Sequence, residues 1–150
     1  MSILFNKAVE HAIRALIYLA VCDPHRPVSC EEVSEVEKIS SNHLSKVLKI
    51  LTRKKVLLSF RGPHGGFILN QDPCEITLWK LVDFLGGQER FRECAIGWAE
   101  CNDETPCPLH KVWTDLRDGN KQYLESTTIS DLAVTAIEKQ REKYPQFYAI

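Results

Sequence analysis

The sequence lacks the marks of a membrane protein or a secreted protein. No apolar run approaches the roughly 18 residues that a membrane-spanning helix needs, and the N-terminus lacks the basic segment, apolar segment and cleavage site of a signal peptide. No internal repeat or low-complexity segment interrupts its 150 residues, of which 44% are hydrophobic. We therefore expect a globular cytoplasmic protein with an ordinary core.

Signatures of an enzyme are also missing. The chain has no Cys-x-x-Cys pair and no nucleotide-binding glycine fingerprint, and no paired general acid and base lies near its cysteines. The glycine-containing run Arg61–Gly66 is weak as a phosphate loop, because no Lys-Ser or Lys-Thr follows it. The sequence therefore predicts a protein that is not an enzyme.

Acidic residues are absent between Lys38 and Gln71, although the net charge of the whole chain is only −1. A local positive potential attracts nucleic acid whatever the total charge. Such a block can also be an ordinary solvated helix face. The secondary structure predicted for these residues distinguishes the two explanations. The basic residues of the interval are Lys38, Lys46, Lys49, Arg53, Lys54, Lys55 and Arg61.

Three helices are predicted at the start of the chain. Apolar residues recur at three- and four-residue spacing from Ile3 to Cys22, and Asp23-Pro24 ends that helix. Ser29 and Glu32 fit a capping box for a short second helix, and Ile39–Ser41 would end it and cap a third. Two short helices joined by a tight turn, with a basic face on the second, indicate a helix-turn-helix.

The third helix would bury an apolar stripe and turn a polar face outward. The stripe consists of Leu44, Val47, Leu48 and Leu51. The outward residues predicted to contact base edges and nearby phosphates are Asn42, His43, Ser45 and Lys46, with Lys49 on a phosphate.

A short hairpin follows the third helix. Val56–Phe60 is predicted to be a strand and Phe67–Leu69 its return, joined by a tip rich in glycine and proline. A hairpin in this place is the wing of a winged-helix domain. The tip presents Arg61, Pro63 and His64 to DNA, with Arg61 and His64 placed to enter a narrow minor groove.

Three of the six cysteines lie close together in the stretch FRECAIGWAECNDETPCPLH. Its polar residues and Pro106 predict a surface loop in which Cys94, Cys101 and Cys107 can converge on one metal centre. Three thiolates and one further donor can hold either structural zinc or an iron-sulfur cluster, and the spacing alone does not distinguish them. A disulfide with one thiol left over is the main alternative, which a cytosolic location disfavours. The other cysteines are interpreted as structural: Cys22, Cys30 and Cys74.

Two more helices are predicted after the wing. Thr77 would cap a fourth, ended by Gly86-Gly87, and a long fifth helix begins near Pro108. The fifth exposes large apolar residues, which suits a dimerisation helix, although packing within one subunit explains them equally well. A charged helical stretch at Ile137–Ile150 forms the tail.

The predicted fold is thus mainly α with a small β-hairpin wing, as a winged helix-turn-helix domain plus a long dimerisation helix. We divide the chain into the DNA-binding domain at 1–87, a cysteine-rich cluster-binding loop at 88–107, and the dimerisation helix with its C-terminal tail at 108–150.

Together these motifs resemble the Rrf2 family of bacterial winged-helix transcription regulators, and within it the branch that binds iron-sulfur clusters. The resemblance runs from VEHAIRALIYLA through the wing RGPHGGF and ITLWKLVDFLGG to the cysteine loop and TTISDLA. It implies a homodimer that binds partly palindromic, double-stranded promoter DNA. It also implies one 2Fe-2S or 4Fe-4S cluster per subunit, with Cys94, Cys101 and Cys107 as ligands.

The resemblance leaves two candidates for the fourth ligand. His110 follows Cys107 in a Cys-x-x-His arrangement, and Glu10 aligns with an acidic first-helix ligand that would come from the partner subunit. Glu10 can also form an ordinary ion pair with Arg14 one turn later. The two candidates carry equal weight, and a small molecule or water is the remaining alternative for the position.

The interpretation is a transcriptional regulator, a repressor or an activator, that senses nitric oxide, redox state or iron through its cluster. One alternative is a winged-helix regulator whose loop holds zinc or works as a thiol switch. Another is a thiol redox or metal-delivery protein, which the missing enzyme signatures disfavour.

Overall fold

The computed structural model describes residue 2 and residues 4–139. Two short 3-10 turns, at Pro73–Glu75 and Gln88–Phe91, lie before and after the helix Leu78–Phe84. The described chain is mainly helical with one two-stranded antiparallel hairpin, which confirms the predicted fold class. The elements in order are α1 (Lys7–Val21), α2 (Cys30–Glu37), α3 (Ser41–Arg53), β1 (Leu57–Phe60), β2 (Gly66–Leu69), α4 (Leu78–Phe84), α5 (His110–Ser126) and α6 (Ile129–Lys139).

Helix α1 lies at the centre of the core. It begins at Lys7 rather than near Ile3, because the Asn6 side chain caps it by accepting a 2.9 Å hydrogen bond from the Val9 amide. One face of the helix is fully buried, and α3, α4 and α6 all pack around it. The buried residues of α1 are Val9, Ala12, Ile13, Ala15, Leu16, Tyr18 and Leu19.

Helix α6 packs against α1, and the sequence pattern did not predict it as a separate element. Ile129, Ala133 and Ala136 bury one side of it. Thr128 and Asp131 cap its start reciprocally: the Thr128 amide donates to Asp131 Oδ2 at 2.8 Å, and the Asp131 amide donates to Thr128 Oγ1 at 3.2 Å. The C-terminal part of the chain therefore completes the core around the first helix.

The predicted tail falls partly inside this helix. Residues up to Lys139 continue α6, and the rest of the tail, including Pro145, lies outside the described residues.

The helix-turn-helix forms as predicted, with two corrections to its caps. Ser29 Oγ accepts from the Glu32 amide at 3.1 Å, but the Glu32 carboxylate accepts from Tyr18 Oη at 2.7 Å instead of closing a capping box. Lys38, in the left-handed region at φ 55°, ends α2, and Ser40 makes no side-chain hydrogen bond that would cap α3.

The wing is joined to the rest of the domain by a backbone bridge. In the hairpin, Leu57 pairs with Leu69 and Phe60 pairs with Gly66. Val28, in the α1–α2 connection, exchanges two hydrogen bonds with Phe67 at 3.0 and 2.8 Å. This bridge holds the base of the wing on the connection between the first two helices.

Helices α4 and α5 lead to and from the cysteine loop. Thr77 Oγ1 accepts from the Lys80 amide at 3.3 Å, which confirms the predicted cap of α4. Leu78 and Ile129 donate backbone hydrogen bonds to Thr127 and Ile76, at 3.0 and 2.9 Å respectively, so the α5–α6 junction is fastened to the start of α4. Within the described ranges, no helix has the length and apolar character that crossing a membrane requires.

Candidate DNA-binding face and cysteine loop

Helix α3 presents the side chains that the sequence predicted would read DNA. Asn42, His43, Lys46 and Lys49 are exposed, and Ser45 is half-buried. The opposite face is closed by the apolar stripe, of which Leu44 and Leu48 are fully buried. The first turn of α3 contains no acidic residue, so nothing on it repels a phosphate.

The His43 ring packs edge-to-face on His11 of α1, with the ring centroids 6.4 Å apart. Burial is the main cause that lowers the pKa of His11. The exposed His43 therefore lies on the side of α3 that faces α1.

The wing tip is open to solvent. Arg61, Pro63 and His64 are all exposed there. Gly66 makes the tip possible: its φ is +150°, and an added Cβ would lie 2.4 Å from the Val28 carbonyl oxygen. The wing follows α3 directly in the chain. Three basic residues are exposed between the polar face of α3 and the wing tip: Arg53, Lys54 and Lys55.

The cysteine loop begins with a tight turn around Cys94. The Gly97 amide donates to the Cys94 carbonyl oxygen at 3.0 Å, and Gly97 has φ +76°. Backbone N–H groups of Ile96 and Trp98 donate to the Cys94 thiol and lower its pKa, with the Cys101 thiol adding to the effect. This turn stabilises a thiolate, the form that binds metal.

Cys101 lies between two other members of the predicted ligand set. Its Sγ is 3.2 Å from His110 Nδ1, and Cys94 lines the same surface pocket. Desolvation raises the pKa of Cys101, and the charge on Cys94 raises it further. Of the two thiols, Cys94 therefore ionises more readily than Cys101.

His110 is buried and held on both ring nitrogens. It is 8% exposed, and its Nε2 lies 2.9 Å from Asp103 Oδ1. The His110 amide donates to the Cys107 carbonyl oxygen at 3.0 Å, which fixes the half-buried Cys107 one turn away. Sequence reasoning missed Asp103, whose only signal was its place between Cys101 and Cys107.

The donor set of the loop fits an iron-sulfur cluster in its chemistry: three thiols lie in one loop and an imidazole nitrogen faces one of them. Among the described residues, no three Cys, His, Asp or Glu side chains are gathered closely enough to hold a single metal ion.

Glu10 lies on α1, half-buried, between two basic residues. Its carboxylate is 3.4 Å from Lys7 Nζ and 4.0 Å from a terminal nitrogen of Arg14. The structure thus contains the ion pair between Glu10 and Arg14, which is the ordinary structural role for Glu10.

The loop is fastened to α5 just before its first cysteine. Trp113 Nε1 donates to the Glu93 carbonyl oxygen at 2.7 Å, and Arg117 donates to the Arg92 carbonyl oxygen at 3.5 Å. Both donors lie on one face of α5, one turn apart. No local pattern in the sequence indicates these contacts, because each joins residues more than a dozen positions apart.

Another face of α5 is apolar and exposed. Leu109, just before the helix, and Val112, Leu116 and Tyr123 within it are 50%, 60%, 55% and 76% exposed. Their spacing of three, four and seven residues places them in one stripe. Gly119 continues that stripe, and a Cβ added to it would meet nothing within 4 Å.

The chain is similar to known transcription regulators over most of its length. The profile of the Rrf2 family, described as "Iron-dependent Transcriptional regulator", matches residues 5–135. A protein named as an HTH-type transcriptional regulator in Aquifex aeolicus (strain VF5) is 34% identical over 131 residues, which cover 86% of this chain and 90% of that protein. The regulator IscR of Cronobacter sakazakii is 26% identical over 123 residues, covering 82% and 75% of the two chains.

Solved structures show the same fold. The cysteine regulator CymR of B. subtilis superposes with a TM-score of 0.73 at 24% identity, covering 89% of this chain and 98% of that one. IscR of T. potens gives a TM-score of 0.69 at 22% identity, covering 91% and 90%. Members of the matched family are DNA-binding transcriptional regulators and not enzymes. This chain belongs to the Rrf2 family of winged-helix transcription regulators.

Proposed function

We propose that this Rrf2 regulator senses nitric oxide, redox state or iron supply through an iron-sulfur cluster held by Cys94, Cys101 and Cys107, with His110 as the fourth ligand. The observation that supports this most directly is the 3.2 Å approach of His110 Nδ1 to Cys101 Sγ. When bound, the cluster would supply iron that reacts with nitric oxide or changes oxidation state. The similarity to IscR proteins supports a cluster in this chain. The similarity to CymR, a cysteine regulator, is the argument against a cluster.

The output of the sensor is promoter DNA binding by a homodimer in the cytoplasm. Asn42, His43, Ser45 and Lys46 would contact base edges and phosphates, and Lys49 a phosphate. Arg61, Pro63 and His64 at the wing tip would reach the minor groove. All of these side chains are exposed except Ser45, which is half-buried, and this exposure supports their assignment to DNA binding.

The dimer would form along the exposed stripe of α5. Two copies of the stripe give an apolar seam at coiled-coil spacing, and the same helix holds the cysteine loop through Trp113 and Arg117. A change in the loop is therefore passed to the dimer helix, and from there to the spacing of the two α3 helices on adjacent half-sites.

The test is anaerobic purification followed by ultraviolet-visible spectroscopy and analysis of iron and sulfide. We expect charge-transfer absorption with matching iron and sulfide in the wild type, and their loss in Cys94→Ser, Cys101→Ser and Cys107→Ser. Cys74→Ser is the matched control, because Cys74 is an exposed thiol outside the loop and its replacement should leave the absorption unchanged.

The fourth ligand is tested in the same way with His110→Ala and Glu10→Ala. Loss of the cluster in His110→Ala alone supports our assignment. Loss in Glu10→Ala alone would give the position to Glu10 of the partner subunit. A colourless, iron-free wild type that still binds DNA would remove the cluster from the proposal and leave the DNA-binding output in place.

Cys94 and Cys101 line the same surface pocket, and this proximity favours a thiol switch as the second candidate function. A hydroperoxide would oxidise the Cys94 thiolate to a sulfenic acid and be reduced to the alcohol. The Cys101 thiol would then form the disulfide and release water. Mass spectrometry before and after peroxide, under metal-free conditions, tests it: a loss of two hydrogens that Cys101→Ser abolishes supports the switch. Zinc content measured on the same protein tests the zinc alternative.

A further inference from the structure

A partly buried ion pair joins α1 to the turn of the helix-turn-helix. Arg14 Nε lies 3.0 Å from Glu37 Oε2, and an Arg14 terminal nitrogen donates to the main-chain carbonyl oxygen of the same residue. The Glu37 side chain is 1% exposed, whereas that of Arg14 is 34% exposed. One guanidinium therefore holds both the side chain and the backbone of Glu37.

Glu37 stands where a small movement has a large effect. It is the last residue of α2, and Lys38 follows it in the left-handed conformation. The buried Ile39 comes next, its amide donating to the Ser34 carbonyl oxygen at 3.1 Å. Helix α3 begins at Ser41. The contact that holds Glu37 against α1 therefore sets where α3 starts.

We propose that Arg14 is a positioning residue for DNA binding. It holds the turn of the helix-turn-helix on α1, so that α3 enters the groove at a fixed angle and depth, and it does not itself touch DNA. The proposal rests on the DNA binding of the family and not on the metal in the cysteine loop.

The reason is the cost of a buried charge. A buried carboxylate that loses the guanidinium lying against it loses the compensation that this cation provides, and moving toward water restores part of that compensation. Glu37 can move in this way only by carrying the turn with it. Removing the Glu37 charge is milder, because the half-exposed Arg14 can be solvated where it stands.

The experiment measures affinity for a duplex that the wild type selects from a random DNA library, by fluorescence anisotropy well below the melting temperature of each variant. Arg14→Gln should bind about tenfold more weakly, equivalent to about 1.4 kcal/mol. Glu37→Gln should lose less. The double variant Arg14→Gln/Glu37→Gln should recover most of the affinity, because it removes both charges of the pair together.

Arg26→Gln is the matched control. It removes the same charge from the same domain, but from an exposed pair, with Arg26 48% and Glu32 32% exposed. We expect its affinity to stay within about twofold of the wild type, as for a surface pair. Wild-type affinity in Arg14→Gln would overturn the proposal. So would a double variant as weak as Arg14→Gln, because that result means that Arg14 contacts a phosphate directly.

Arg14→Lys keeps the test decisive should Arg14→Gln fail to fold. Lysine retains the charge but cannot hold two oxygens with a planar fork. We expect weaker DNA binding together with faster hydrogen exchange at the Ile39 amide and in the first turn of α3, with exchange in α6 unchanged. Unaltered exchange at the turn, or equal acceleration throughout the domain, would overturn the positioning role.

Discussion

His110 Nδ1 lies 3.2 Å from Cys101 Sγ, and the two residues are nine positions apart in the chain. The other ring nitrogen is held at 2.9 Å by Asp103. Metal-binding histidines commonly have one nitrogen fixed by a carboxylate in this way, which orients the other toward the ligand site. The imidazole is therefore aimed at the Cys101 thiol.

Replacing Asp103 with Asn should loosen that orientation. We expect the cluster to be lost to a chelator about tenfold faster under anaerobic conditions, the lower end of the effect of such supporting residues. Glu104→Gln, a change at the neighbouring exposed acid, is the control. Equal rates of loss in the two variants would mean that Asp103 does not support the site.

Replacing Arg61 with Ala should weaken DNA binding and make it less sensitive to salt. A guanidinium placed in the minor groove neutralises nearby phosphates, so its removal reduces the slope of log affinity against log salt by about one. Anisotropy titrations at several salt concentrations measure both effects. Lys111→Ala, at a 90% exposed lysine on α5, should change neither, and an unaltered slope in Arg61→Ala would exclude a charged contact between Arg61 and DNA.

Replacing Gly66 with Ala should destabilise the domain more than replacing Gly62. Both glycines have positive φ, but only at Gly66 does the new Cβ meet backbone, the Val28 carbonyl at 2.4 Å. We expect a decrease of about 2 kcal/mol or more in the free energy of unfolding for Gly66→Ala, against about 1 kcal/mol for Gly62→Ala, where only backbone strain acts. Urea denaturation measures both, and equal decreases would contradict the steric account.

Replacing Leu116 with Glu should abolish the dimer proposed above and leave a monomer. The change puts a charge into the middle of the exposed stripe of α5, where a seam between two copies would bury it. Sedimentation velocity measures the result. Asp118→Lys alters charge on the opposite side of α5 and should leave the dimer intact; a dimer that survives Leu116→Glu would place the interface elsewhere.

Glu32 should make the protein less stable in acid. Its pKa is lowered, first by the hydrogen bonds from Arg26 and then, against the effect of desolvation, by the Tyr18 hydroxyl. A carboxylate with a lowered pKa stabilises the fold above its unfolded value near 4.5 and loses that contribution as the pH falls through the folded value.

Glu32→Gln should therefore differ from the wild type by a constant free energy of unfolding at neutral pH, and the difference should shrink below about pH 4.5. Denaturation curves at a series of pH values measure it. Glu35→Gln removes a carboxylate from the same helix without removing the Arg26 contact, and serves as the control. A difference that does not change with pH would assign the effect to packing.

Local patterns in the sequence predicted much of the fold. Leu44, Val47, Leu48 and Leu51 repeat at helical spacing, and the glycine and proline tip of the wing follows them directly. Helix α6 has a comparable pattern in Ile129 and Ala133, but its short apolar stripe is not separable from the charged tail by pattern alone. The fold class could thus be predicted because its signals lie within single elements.

Features that depend on distant partners could not be predicted. A charged residue is expected at the surface, and Glu37 is buried because Arg14, 23 positions earlier, lies against it. The Val28–Phe67 bridge and the contact of Trp113 with Glu93 are likewise invisible in any short window. In the cysteine loop the ligand types could be identified, but the approach of His110 to Cys101 needed the folded backbone.

The packing of α6 on α1 has a consequence for synthesis of the protein. A chain that has emerged from the ribosome only as far as Ser126 lacks Ile129, Ala133 and Ala136, which cover part of the first helix. Early apolar surface on α1 must wait for these late residues, so the DNA-binding part cannot reach its final packing until they have left the ribosome. A ribosome that stalls before α6 emerges would hold a regulator whose first helix is still incompletely covered.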